Sequence, residues 1–167
     1  MAETTMTRPT AAIMPEISIN TVLSVIVAGA LATAAFDLVG QVISPFTGNS
    51  ALAPVGLAQG TWNTVFGDAT KAHGYMLHLI AGLIAYPAGW LFFWEPVQRR
   101  VMPGLHWTLS SAIYGAVLWV FALYVMAHLV VGMPAFLNFS NITWVALVGH
   151  VVFGVVAAAG LRLRVSL

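Results

Sequence analysis

The sequence predicts an all-α integral membrane protein, a four-transmembrane-helix up-down bundle, on three observations. The first is composition: 60% of the 167 residues are apolar, 7% are charged and the mean hydropathy is +0.91, values foreign to a soluble domain. The second is that the apolar residues gather into four runs, each of the roughly 20 residues needed to cross the hydrocarbon layer. The third is that two of the connections, EPVQRRVMPG and GMPAFLNFSN, are short, which makes the spans they join antiparallel neighbours.

Composition also narrows function. Six Lys or Arg against five Asp or Glu form no basic stripe that would track a phosphate backbone, so nucleic acid is not an expected partner. The chain has no cysteine, which excludes disulfides, thiolate metal sites, Fe–S clusters and Cys-linked haem. Four spans leave little length for a soluble catalytic domain.

The elements follow in order. Residues 1–18 form a polar N-terminal tail that carries acids, unlike the basic start and short apolar core of a secretory signal. Span one covers about 19–43 and is expected to stop at Ser44-Pro45, because proline disfavours helix in the residue before it. It contains Asp37 and Gln41. A long connection to about Ala72, rich in Gly, Pro, Asn and Thr, is expected in the interface. Span two covers about 73–94, with a kink expected at Pro87. Span three covers about 105–131 and span four about 142–161, leaving 162–167 as the C-terminus.

Arg8, Arg99, Arg100, Arg162 and Arg164 then fall on one side of the bilayer and Lys71 alone on the other. By the positive-inside rule both termini are expected in the cytoplasm, with the chain multi-pass in a bacterial inner membrane. Trp94 and Trp107 are expected at the inner interface, Trp62 and Trp144 at the outer one. The run Trp90, Phe92, Phe93, Trp94 is expected to be a membrane anchor, and Trp119 with Tyr124 is expected to face lipid or a partner.

Comparing the halves of the chain gives a repeat. Span two reads His78-Leu-Ile-Ala-Gly82-Leu-Ile-Ala85 and span four His150-Val-Val-Phe-Gly154-Val-Val-Ala157, so the bundle reads as two repeated helical hairpins. Spans one and three align more weakly, setting Asp37 against His128.

At ~1.5 Å of rise per residue, Asp37, His78, His128 and His150 all fall in the outer half, one from each span, and only His106 lies on the cytoplasmic side. Lone ionisable groups are costly in hydrocarbon and usually face one another, so a shared polar cluster is expected. Four readings of it stand side by side. His78 and His150 are the natural axial pair for haem b; Asp37, His78, His128 and His150 together are a donor set for Zn, Cu or Fe; Asp and His are ordinary parts of a proton or ion pathway; and all four are able simply to hydrogen-bond across the bundle, orienting helices that have no hydrophobic drive to pack in lipid.

The segments FDLVGQ, HGYMLHLIAGLIAYPAGW, YGAVLWVFALYVMAHLVVGMP and GHVVFGV resemble an uncharacterised family of small four-span bacterial inner-membrane proteins over about residues 19–160. The resemblance implies the fold and no reaction. The expected role is that of an accessory, non-catalytic subunit of a larger bacterial respiratory or electron-transfer complex, with other integral membrane subunits and lipid as partners and no intrinsic cofactor. The alternative is a stand-alone haem-b or metal-binding redox protein.

Overall fold

The computed structural model describes residues 16–165; most of the expected tail and the last two residues lie outside them. Every regular element among the described residues is helical, and four helices are long and apolar enough to cross a membrane. We number them with the short helix between the first two: α1 (Ile19–Phe46), α2 (Pro54–Phe66), α3 (Lys71–Val101), α4 (Trp107–Val130) and α5 (Asn141–Val165). The connection after the first span is therefore not irregular throughout. Its second half is a helix with Pro54 in the first turn, where the missing N–H is not needed.

Boundaries differ from expectation at two prolines. Helix α1 continues through Ser44-Pro45 to Phe46, and α3 continues through Glu95-Pro96 to Val101. Both prolines follow π-helical turns, 38–43 and 90–94. The wider turn moves the preceding carbonyls back and gives the proline ring room it would lack in a tight α-turn. Two further π-helical stretches, 81–85 and 121–130, lie in α3 and α4.

The spans pack in an order set by small residues. Helix α5 lies along both α1 and α4, and α3 packs on α1. At the α1–α5 contact Ala28, Ala32, Ala157 and Ala158 are almost wholly buried. A Cβ on Gly29 would fall on the carbonyls of Gly82 and Leu83, and a Cβ on Gly115 on the backbone of His150 and Val151. Each hairpin, α1 with α3 and α4 with α5, thus closes backbone to backbone through glycine, as lipid-embedded helices do. The same contact receives Pro87. Its ring cannot donate to the turn before it, and the carbonyls of Gly82 and Leu83, within reach in that turn, lie against the Cα of Gly29, where a weak C–H···O contact is available.

Two-fold repetition would also pair α3 with α4, but these helices meet chiefly at one end of the bundle. There Tyr114 donates its hydroxyl to the Tyr86 carbonyl at 2.6 Å and Trp94 Nε1 donates to Ser110 Oγ at 3.0 Å. The Trp90 side chain fills the space between, 1% exposed. Trp90 and Trp94 are thus core and seam residues and not, as expected, part of a membrane anchor; Phe93, 67% exposed, still fits that role. Trp119 also points inward, its Nε1 donating to the Thr143 carbonyl at 3.0 Å. This end, which carries Arg99, Arg100 and Arg162, is called the basic end below.

At the opposite, capped end α3 and α4 part, and α2 lies across the gap. The chain reaches that position because residues after Phe46 turn back along the bundle. Leu52 donates its N–H to the Gly40 carbonyl at 2.9 Å and inserts its side chain beside Gly40 and Gly149. Ser50 N–H donates to Asn141 Oδ1 at 2.8 Å, tying the turn to the start of α5. Helix α2 then packs on α3, with Gly74 against the Val55 carbonyl, and approaches α4 where Gly60 faces Val131.

Candidate functional site

The parted α3–α4 seam encloses a cavity of about 730 Å³. Leu77, Ile80 and Ala81 of α3 form one wall, Leu123, Met126 and Ala127 of α4 the other, and Leu57 with Thr61 of α2 the roof. Its floor is aromatic: the Tyr86 ring meets Phe121 and Phe153 edge-on, with centroids 6.4 and 5.8 Å away. The back wall comes from α1 and α5 and holds Thr33, Phe36 and His150.

His150 is 7% exposed, and its Nδ1 lies 2.7 Å from the Ala146 carbonyl one turn earlier. A carbonyl only accepts, so Nδ1 carries the proton and neutral His150 has a bare Nε2. No protein group bonds to Nε2. Nor is it among the fully occluded side-chain polar atoms without a partner, which among the described residues are Thr33 Oγ1 and Trp90 Nε1. It therefore opens on the cavity as an unpaired acceptor in an apolar wall. The Phe36 ring packs edge-on against His150 at 5.0 Å and tilted against His78 at 6.4 Å.

His78 borders the same cavity, but its Nε2 lies 3.4 and 3.5 Å from the two oxygens of Asp37. Gln41, one turn on, donates to Asp37 Oδ1 at 2.8 Å. Asp37, Gln41 and His78 also line a second, more polar recess of about 560 Å³, with Lys71, Tyr75 and Gln59 around it. The side chain of His78 is 16% exposed and that of Asp37 36%.

Of the four groups expected to cluster, only Asp37 and His78 make contact, and His150 lies beyond Phe36. His128 stands apart: its Nδ1 lies 2.8 Å from the Met133 carbonyl and its ring packs beside Tyr124 at 5.5 Å. The neighbouring Ala127 faces the cavity, wholly buried, and the turn of one residue along the helix carries His128 away from it. The donor set Asp37, His78, His128 and His150 is accordingly not assembled, and among the described residues no three His, Asp or Glu side chains gather as metal ligands. For haem b, each of His78 and His150 retains one nitrogen without a protein partner, Nδ1 and Nε2 respectively, while Phe36 is packed against both rings. His73 caps the start of α3 and stacks on Trp62 at 4.7 Å, and His106 caps the start of α4.

Phe36, Thr33 and the Ala146 carbonyl were not visible as site groups in the sequence. Nothing distinguishes an apolar residue facing a cavity from one facing lipid, and the capping role of α2 depended on the unforeseen return of the chain at Leu52. No family model, curated protein or solved structure matches this chain.

Proposed function

We propose that this chain holds a lipid-soluble small molecule, with an apolar body and a hydroxyl group, in the cavity between α3 and α4, entered sideways from the bilayer. The supporting observation is the bare Nε2 of His150 in a lining made mostly of Leu, Ile, Ala, Met and Phe. An unpaired acceptor in such surroundings loses free energy, on the order of 1–3 kcal/mol, that a ligand hydroxyl restores. A cavity of about 730 Å³ falls in the usual range for small-molecule sites, roughly 300–1,000 Å³.

A haem b between His78 and His150 is the second reading, favoured by the two partner-free nitrogens; it requires Phe36 to swing away. The accessory role in a bacterial respiratory or electron-transfer complex is a separate proposal, and binding in the cavity does not depend on it.

One preparation tests all three. The protein is purified gently from membranes, its visible spectrum recorded oxidised and reduced, and its solvent extract and co-purifying chains identified by mass. We expect a colourless protein that retains one apolar hydroxyl compound. His150→Ala, or Ala122→Trp to fill the cavity, is expected to release it. Retention unchanged in both variants overturns the proposal; a haem-b band lost in His78→Ala and in His150→Ala replaces it with the second reading. Stoichiometric recovery with the chains of one larger complex supports the accessory role.

A further inference from the structure

We infer that the pair His78–Asp37 passes a proton between the occupant of the cavity and water at the capped end, so that the occupant is a weak acid such as a phenol. The inference rests on the binding reading above and adds what the site does with its ligand.

Five residues line both the cavity and the polar recess: Leu52, Ala53, Pro54, Gly56 and His78. Of these only His78 has a side chain able to hold a proton. One side of the wall is apolar and faces the seam; the other holds Asp37, which is more exposed than His78 and bonded to Gln41. Exposure thus rises in the order cavity, His78, Asp37, recess. Imidazole suits such a position because it accepts at one nitrogen while releasing from the other. When the occupant's O–H turns from Nε2 of His150 to Nδ1 of His78 it gives its proton there, and Nε2–H passes its own to the Asp37 carboxylate, which releases it to water in the recess. The occupant is left as its anion, and the reverse sequence restores it. No electrons move.

The pair has no evident use in conduction across the bilayer. The cavity ends at Tyr86, Phe121 and Phe153, and beyond them the seam is closed by Tyr114 and Trp90. A proton that reaches the cavity is therefore not carried on to the basic end. The other titratable or charged groups around the pair are Lys71 and Tyr75 of α3 on the recess side, Tyr86 of α3 at the cavity floor and His150 of α5 across Phe36; the lining residues of α4 include none, and α2 adds the polar side chains of Gln59 and Thr61.

The test uses the full chain in lipid nanodiscs with an octyl-substituted 4-nitrophenol as probe, whose colour reports its own protonation. Retention of the probe is measured first, then the rate at which its bound colour follows a jump in external pH. His78→Gln keeps a hydrogen bond to Asp37 but cannot relay a proton, and Asp37→Asn cannot accept one. Both are expected to retain the probe and to slow the colour change on the order of a hundredfold, the scale of a lost acid–base group. Variants that respond as fast as the wild type overturn the relay while leaving the binding reading intact. Variants that lose the probe assign the pair to binding and overturn the relay as well. A wild type that fails to retain the probe, with His150→Ala no different, removes the binding reading and the relay with it.

Discussion

Thr33 shows how a single residue reports on this fold. Its hydroxyl is fully occluded and bonds to nothing, although a threonine in a helix usually reaches the carbonyl one turn back, as Thr61 does to Leu57. Its Oγ1 instead faces Gly82, where a Cβ would collide with it. Replacing an unpaired buried hydroxyl by a methyl of the same shape removes a desolvated group without opening space. Thr33→Val is therefore expected to leave stability unchanged or to raise it by about 1 kcal/mol, measured by unfolding in mixed micelles. A loss of that size would show that the hydroxyl has a partner in the bilayer.

The His-to-Gly spacing of the repeat marks the helix contacts, since Gly82 and Gly154 both sit where the preceding span of each hairpin crosses. We expect Gly115→Val to destabilise the protein by about 1–3 kcal/mol or more, because the atoms it would strike are backbone of α5 and cannot move aside. Gly104→Val, with open space around it, is the matched control in the same unfolding assay. The four spans were legible because length and hydropathy alone decide them; that Asp37 meets His78 in particular was not, because an acid at that depth had three histidines as possible partners. The helix ends were less legible: π-helical turns carry no signature in residue types, and they are what allowed α1 and α3 to run through their prolines. His128 was misplaced for a related reason. Depth can be counted along a sequence, but facing depends on helical phase.

For the whole molecule, the charges that distinguish the two ends suggest an orientation. The basic end is partly neutralised by its own structure: Glu95 bonds Arg99 at 2.6 Å and lies 3.9 Å from Arg162, whose guanidinium also covers the Trp107 ring. We propose that this end faces the cytoplasm. The absence of cysteine makes the test direct. A single cysteine at the exposed Asp68 is expected to react with a membrane-impermeant maleimide in intact cells, and one at Gly104 only after permeabilisation; the opposite pattern inverts the orientation.

The closed and open halves of the α3–α4 seam divide the molecule's surroundings unequally. With the basic half sealed by Tyr114, Trp90 and Trp94, a cavity entered from the bilayer, as proposed above, is reached from one monolayer only. Whichever way the chain is inserted, it samples half of the bilayer, and a compound confined to the other half must first cross by itself. In a membrane whose two monolayers differ in composition, occupancy would follow the abundance of a compound in the adjoining monolayer and not its total in the membrane.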